Sequence, residues 1–193
     1  MSDEAVAAVT GAIRGLTARE VVVVALDGFS GSGKSTLAYR LAEQVSGAVL
    51  EGDDFYRVMD EERRYGLSAA EGTDLYFDWE RLRDEALAPL RAGLAAVYSP
   101  YDWASGGALS PQTVSVGPAP IILVDGVYSS RPELIAFIDL AVFVNTTQHV
   151  RDERIASRIH GNERWHTRWA AAEKHYFEHV RPRASFDLVV FGE

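Results

Sequence analysis

The apolar positions of this chain change period along its length, and the changes mark out its elements. Behind Ser2, a residue suited to capping a helix, Val6, Val9, Ile13 and Leu16 recur at helical spacing. Residues 21–26 form an unbroken, mostly β-branched run that is too short for a helix. Apolarity that is continuous rather than alternating predicts a strand covered on both faces, as in a parallel sheet. Residues 28–33 read as a glycine-rich turn and 35–45 as a helix. A second strand is expected at 48–50, ending in Glu51, Asp53 and Asp54. The stretch 55–77 is polar and without a clear period, so an irregular segment is expected there. Helical spacing returns in Trp79, Leu82, Ala86, Leu87 and Leu90, whereas Gly, Ser and Pro dominate 92–119 and predict loops with short strands. Residues 121–124, 140–144 and 187–191 read as further strands. Pro132–Phe137 reads as a short helix, and 148–159 and 163–180 as longer ones, the last stopped by Pro182. Strands alternating with helices predict an α/β fold with a parallel sheet covered on both faces. No repeat interrupts this order, so residues 1–193 are expected to form a single domain.

Composition narrows the chemistry. The chain has no cysteine, which excludes a disulfide scaffold, a thiol nucleophile and thiolate metal sites. Its net charge of -9 opposes non-specific binding to nucleic acid or anionic lipid, so neither a nucleic acid nor a membrane is an expected partner. No apolar run is long enough to span a bilayer, and the first residues are acidic where a signal peptide would be basic. A soluble, cytoplasmic protein is expected, and a homo-oligomer stays open.

The sharpest signal is Gly28-Phe29-Ser30-Gly31-Ser32-Gly33-Lys34-Ser35, a full match to G-x-x-x-x-G-K-[ST] between an expected strand and an expected helix. Small residues let consecutive backbone N–H groups wrap a phosphate while the following helix points its positive end at it. Lys34 would then reach the β- and γ-phosphates of ATP, and the Ser35 hydroxyl would ligate Mg²⁺. Asn-Lys-x-Asp, the guanine-reading element of GTPases, is absent, as is the Leu-Ser-Gly-Gly segment of ABC ATPases. Motor and helicase ATPases are normally longer and more basic. What remains is a small-molecule kinase.

Three further groups fit that chemistry. Asp125 ends a buried strand, where such folds hold Mg²⁺. Asp53 follows another strand end and could accept the proton of an attacking hydroxyl, with Asp54 the weaker candidate. Arg151, Arg154 and Arg158 share one face of an expected helix and could close over a transferring phosphoryl group, within a lid at about residues 151–168. The histidines lack zinc-binding spacing, and Trp165, Trp169, Tyr176 and Phe177 read mainly as the core of the last helix.

Residues 27–36, Asp-Gly-Phe-Ser-Gly-Ser-Gly-Lys-Ser-Thr, resemble the start of the uridine kinases in the phosphoribulokinase/uridine kinase group of P-loop kinases. Asp53-Asp54-Phe55-Tyr56-Arg57 is similar to that family's Asp-x-Phe-Tyr segment, Phe77-Asp78 and Tyr101-Asp102-Trp103 to its nucleoside-contacting segments, and Val124-Asp125-Gly126-Val127 to its Glu-Gly-Ile/Val element. The resemblance implies a five-stranded parallel sheet with a small lid, and transfer of the γ-phosphoryl of ATP to a hydroxyl of a nucleoside-like acceptor, with Mg²⁺. It implies nucleotide binding by Gly28, Ser30, Gly31, Ser32, Gly33, Lys34, Ser35 and Thr36, and metal binding by Ser35 and Asp125. It assigns Asp53 as base, with Lys34, Arg154 and Arg158 in catalysis and Tyr56, Asp78, Tyr101 and Arg151 around the acceptor. Ser105-Gly106-Gly107 stands where uridine kinases carry a base-reading His. The chain also resembles nicotinamide riboside kinases, so another alcohol acceptor stays open, as does an ATP-binding regulator without catalysis.

Overall fold

The computed structural model describes residues 2–16, 19–105, 107–157 and 163–192. Five strands, β1 (Val22–Asp27), β2 (Ala48–Glu51), β7 (Ile121–Asp125), β8 (Leu140–Asn145) and β9 (Leu188–Phe191), form one parallel sheet in the order β2-β7-β1-β8-β9. The central strand β1 is buried along its whole length, and successive residues serve different cores. Val22, Val24 and Leu26 pack with α1 (Asp3–Arg14) and α2 (Lys34–Val45), while Val23 faces the core on the other side of the sheet. That division is why the run is apolar at every position. Ser2 caps α1 by accepting from the Ala5 N–H, and Val6, Val9 and Ile13 form its buried stripe.

The second core is larger. It is filled by a helical segment running from α5 (Trp79–Arg81) through a π-helical stretch (Leu82–Leu87) into α6 (Ala88–Arg91), and by α8 (Glu163–His175), which also ends in a π-turn (Tyr176–Val180). Helix α7 (Gln148–Ala156) connects β8 to the segment before α8. Two antiparallel pairs lie beside the sheet. One joins β3 (Ala96–Tyr98) to β6 (Val114–Val116), and the other joins β4 (Tyr101–Asp102) to β5 (Ala108–Leu109).

The structure departs from the sequence expectation in one stretch. Residues 55–77 are not irregular, for they contain α3 (Glu61–Gly66) and α4 (Ala69–Leu75). Both helices are too short to show a period and are secured by their caps. Asp60 accepts from the Arg63 N–H, and Ser68 with Glu71 makes a reciprocal capping box. Pro132–Phe137 is the short helix expected, wound with 3₁₀ geometry. The expected 148–159 helix is described only to Ala156, and Arg158, with residues 158–162 of the expected lid, lies outside the described residues. Among the described residues, no helix is long and apolar enough to cross a membrane.

Candidate active site

Parallel strands deliver their carboxyl ends to one edge of the sheet, and β1, β2 and β7 end there in Asp27, Glu51 and Asp125. The loop from Gly28 to Gly33 turns between β1 and α2 with φ of 76° at Gly31 and 96° at Gly33. A Cβ on Gly31 would lie 2.9 Å from the Arg151 carbonyl oxygen, so this position requires glycine for space as well as for conformation. Helix α2 has no side-chain cap, which leaves its first N–H groups directed into the loop. The Lys34 ammonium is folded over the loop, donating to the carbonyls of Gly28 at 2.8 Å and Phe29 at 3.1 Å.

Asp27 holds the loop from beneath. Its Oδ1 accepts from the N–H groups of Gly28 (2.8 Å) and Tyr128 (3.2 Å). Its Oδ2 accepts from the Ser130 N–H (3.2 Å), the Ser130 hydroxyl (2.7 Å) and the Tyr176 hydroxyl (2.9 Å). Tyr128 takes φ of 71°, rare for an L residue, as its N–H meets Asp27. One buried carboxylate thus joins the phosphate loop, the segment after β7 and the end of the last helix. Burial raises its pKa, and the donors and Lys34 work against that rise.

Next to the loop opens a cleft of about 510 Å³. Ser30, Gly31, Gly33, Lys34, Ser35 and Thr36 line one side, with Asp53 and Asp125 beside them. Asp53 stands on a one-turn 3₁₀ helix (Gly52–Phe55) directly after β2. It is open to water in the cleft yet ringed by protein. Desolvation first, then the charge of Asp125, push its carboxyl up to about 6, while Lys34 pulls it down. Asp54 turns away and accepts from the Tyr98 hydroxyl at 3.0 Å. Asp125 is buried, and its pKa is raised by desolvation and restrained by Lys34 and by a hydrogen bond from Ser35. Its Oδ1 is buried without a hydrogen-bond partner. An orphaned carboxylate oxygen beside a serine hydroxyl is a fitting donor pair for a hard cation such as Mg²⁺. Among the described residues there is no cluster of three His, Asp or Glu that could hold a metal alone. A metal here would therefore complete its shell with phosphate oxygens and water.

Part of the cleft wall is aromatic. Tyr56, Trp103, Trp165 and Trp169 line it, with His166 beside them. Tyr56 stacks on Trp169 at 4.9 Å and 26° and meets the edge of Trp103 at 4.4 Å. Trp103 reaches the cleft from the β4–β5 hairpin. Burial lowers the pKa of the His166 imidazole.

The remaining candidates stand back from this space. Tyr101 is buried behind Tyr56 and Trp103, under the Arg64 guanidinium at 5.2 Å. Asp78 caps α5 and pairs with Arg57 at 3.3 Å. Arg151 lies over the Phe29 ring at 4.3 Å, and Arg154 donates to the carbonyls of Gly31 at 3.1 Å and Gly192 at 3.4 Å. Gly28 and Ser32 shape the loop from its buried side, with Ser32 fully buried. Trp103 lines the cleft from the Tyr101-Asp102-Trp103 segment singled out in the sequence, and Trp165 and Trp169 are buried in the core as expected but also line the cleft. Sequence reasoning missed His166 and the buried Glu173 that joins Trp169 to Ser30. A signal existed: Trp165, Trp169, Glu173 and Tyr176 lie on one helix face, and a carboxylate inside an aromatic stripe is costly unless it has partners.

No protein-family model matches the chain. A uridine kinase from Deinococcus deserti is 32% identical over 171 residues, covering 83% of this chain and 78% of that protein. A uridine kinase from Limosilactobacillus reuteri is 27% identical over 139 residues, covering 67% of this chain and 61% of that protein. Among solved structures, one described as a possible uridine kinase from Bacillus stearothermophilus superposes with a TM-score of 0.73 at 22% identity, over 96% of this chain and 97% of that one. A candidate fructose transport system kinase from Silicibacter sp. TM1040 gives 0.72 at 22% identity, over 98% and 99%. The structural likenesses share the fold seen here, and the D. deserti relative carries the kinship: the chain belongs to the uridine kinase family of P-loop kinases.

Proposed function

We propose that this kinase transfers the γ-phosphoryl group of ATP to a hydroxyl of a nucleoside-like acceptor, with uridine as the leading candidate. The observation that carries the reading is Asp53, a carboxylate with its pKa raised to about 6, lining the same cleft as the phosphate loop and a group of aromatic side chains. ATP would lie with its phosphates on the loop and the α2 N-terminus, and the acceptor ring would lie against Tyr56, Trp103, Trp165 and Trp169. Asp53, ionised near neutral pH, takes the proton of the acceptor hydroxyl. The acceptor oxygen forms a bond to the γ-phosphorus as the bond to the β–γ bridging oxygen breaks, and ADP leaves with that electron pair. Lys34 exchanges the Gly28 and Phe29 carbonyls for phosphate oxygens. Bound Mg²⁺, held by Ser35 and Asp125, would supply positive charge to the phosphates. Arg154, with Arg151 on the same helix, adds cationic charge on the loop side of the cleft.

A second reading has nicotinamide riboside or another non-pyrimidine alcohol as acceptor. It is favoured by the sequence of residues 103–107, which has no histidine, whereas among the described residues the cleft is lined by a histidine, His166, of α8. The experiment is incubation with Mg²⁺·ATP and uridine, cytidine, nicotinamide riboside, pantothenate or simple sugars, followed by mass spectrometry for a phosphorylated product. Phosphorylated uridine or cytidine supports the first reading and phosphorylated nicotinamide riboside the second. No phosphorylated product from any of them overturns both.

A further inference from the structure

The chemistry above leaves one buried carboxylate unused. Glu173, on α8, is only 3% exposed and lies behind the cleft wall. Its Oε1 accepts from the Ser30 N–H at 3.1 Å, from the Ser30 hydroxyl, and from the Trp169 indole N–H at 2.6 Å. The same indole N–H lies 3.0 Å from the Ser30 oxygen, closing a triangle of three residues. Ser30 belongs to the phosphate loop, and Trp169 stacks on Tyr56 in the aromatic pocket. One oxygen atom therefore touches both the phosphate loop and the aromatic wall.

Packing alone does not account for this group. Its neighbours along the helix face, Ala172, Tyr176 and Phe177, are already buried, and an apolar side chain would avoid the cost of desolvating a carboxylate. That cost shows in a raised pKa, which the bonds from Ser30 and Trp169 and the charge of Lys34 counter. Bonds to a charged acceptor are short, directional and about twice as strong as neutral ones, which suits a group whose task is to fix relative position.

We propose that Glu173 is a positioning residue that ties the phosphate loop to the aromatic wall of the acceptor pocket through Ser30 and Trp169, so that a nucleotide on the loop is felt at the acceptor wall. The inference rests on the kinase reading, because it takes the loop as the nucleotide site and the aromatic wall as the acceptor site.

The test follows the indole N–H resonance of Trp169 in ¹⁵N-labelled full-length protein, assigned by its loss in Trp169→Phe. Mg²⁺ and the non-hydrolysable analogue AMP-PNP are added to saturation, checked by calorimetry. The Trp169 resonance should move in the wild type, stay in place in Glu173→Gln, and move less than in the wild type in Ser30→Ala, which loses both hydroxyl bonds but keeps the Ser30 N–H bond to Glu173. A resonance that does not respond in the nucleotide-bound wild type, or that moves as far in both variants as in the wild type, overturns the inference and leaves the kinase reading standing. If calorimetry detects no AMP-PNP binding to the wild type, the kinase reading fails and takes the inference with it. Should Glu173→Gln lose its cooperative melting transition, Ser30→Ala, which removes a single hydroxyl, decides the question alone.

Discussion

Replacing Asp53 with asparagine should make the protein more stable and less active at once. The carboxyl is displaced from 3.8 to about 6, chiefly because the cleft walls strip water from it and secondarily because Asp125 is near. An acid whose pKa is raised by folding binds its proton more tightly in the folded chain than in the unfolded one. Its contribution is thus most favourable below 3.8, falls as pH rises through the window from 3.8 to about 6, and stays unfavourable above it. The full displacement converts to about 3 kcal/mol. Asp53 faces water in an open cleft, and screening there reduces the figure to about 1 kcal/mol. Asparagine carries no charge, so the variant should regain that amount near neutral pH, a rise of about 2–4 °C in Tm for a chain of this length. The assay is thermal unfolding of both proteins by calorimetry, near neutral pH and again near pH 4. The advantage should be present in the first condition and gone in the second. A variant that melts below the wild type near neutral pH, or whose advantage is independent of pH, would refute the electrostatic account of Asp53.

Three other substitutions probe the frame around that residue. Asp125→Ala removes the carboxylate whose Oδ1 has no partner, and should raise the Mg²⁺ concentration needed for nucleotide binding by about tenfold or more, as read by calorimetry over a Mg²⁺ series. Asp27→Asn keeps the shape but turns an acceptor of five donors into a group with donors of its own, and should cost about 3 kcal/mol or more in urea denaturation. Gly31→Ala puts a Cβ 2.9 Å from the Arg151 carbonyl oxygen at φ of 76°, and should cost about 1–3 kcal/mol and weaken AMP-PNP binding. Unchanged binding in that variant would show that the loop tolerates the strain.

The sheet was legible because burial on both faces leaves unbroken runs such as residues 121–124, which no surface helix would carry. The phosphate loop was legible because its chemistry is local, with glycines, lysine and serine consecutive in the chain. The short helices α3 and α4 were missed because they are held by caps and by tertiary contact rather than by a periodic stripe. Thr73 of α4, for example, donates its hydroxyl to the Ala172 carbonyl of α8 at 2.9 Å. The aromatic wall of the cleft was harder, since Tyr56, Trp103 and Trp169 are far apart in sequence and a tryptophan in a helical stripe reads the same whether it faces a core or a cavity. Glu173 belongs to the same class. Its partner Ser30 is 143 residues away, and only the fold brings them together.

The most direct test of the central claim compares the wild type with Asp53→Asn in coupled ADP release, using Mg²⁺·ATP with and without uridine, cytidine and nicotinamide riboside. The account predicts acceptor-dependent ADP release by the wild type that falls by about 10²–10⁴-fold in the variant, with AMP-PNP affinity retained in both. Acceptor-dependent release that survives the substitution undiminished would contradict it.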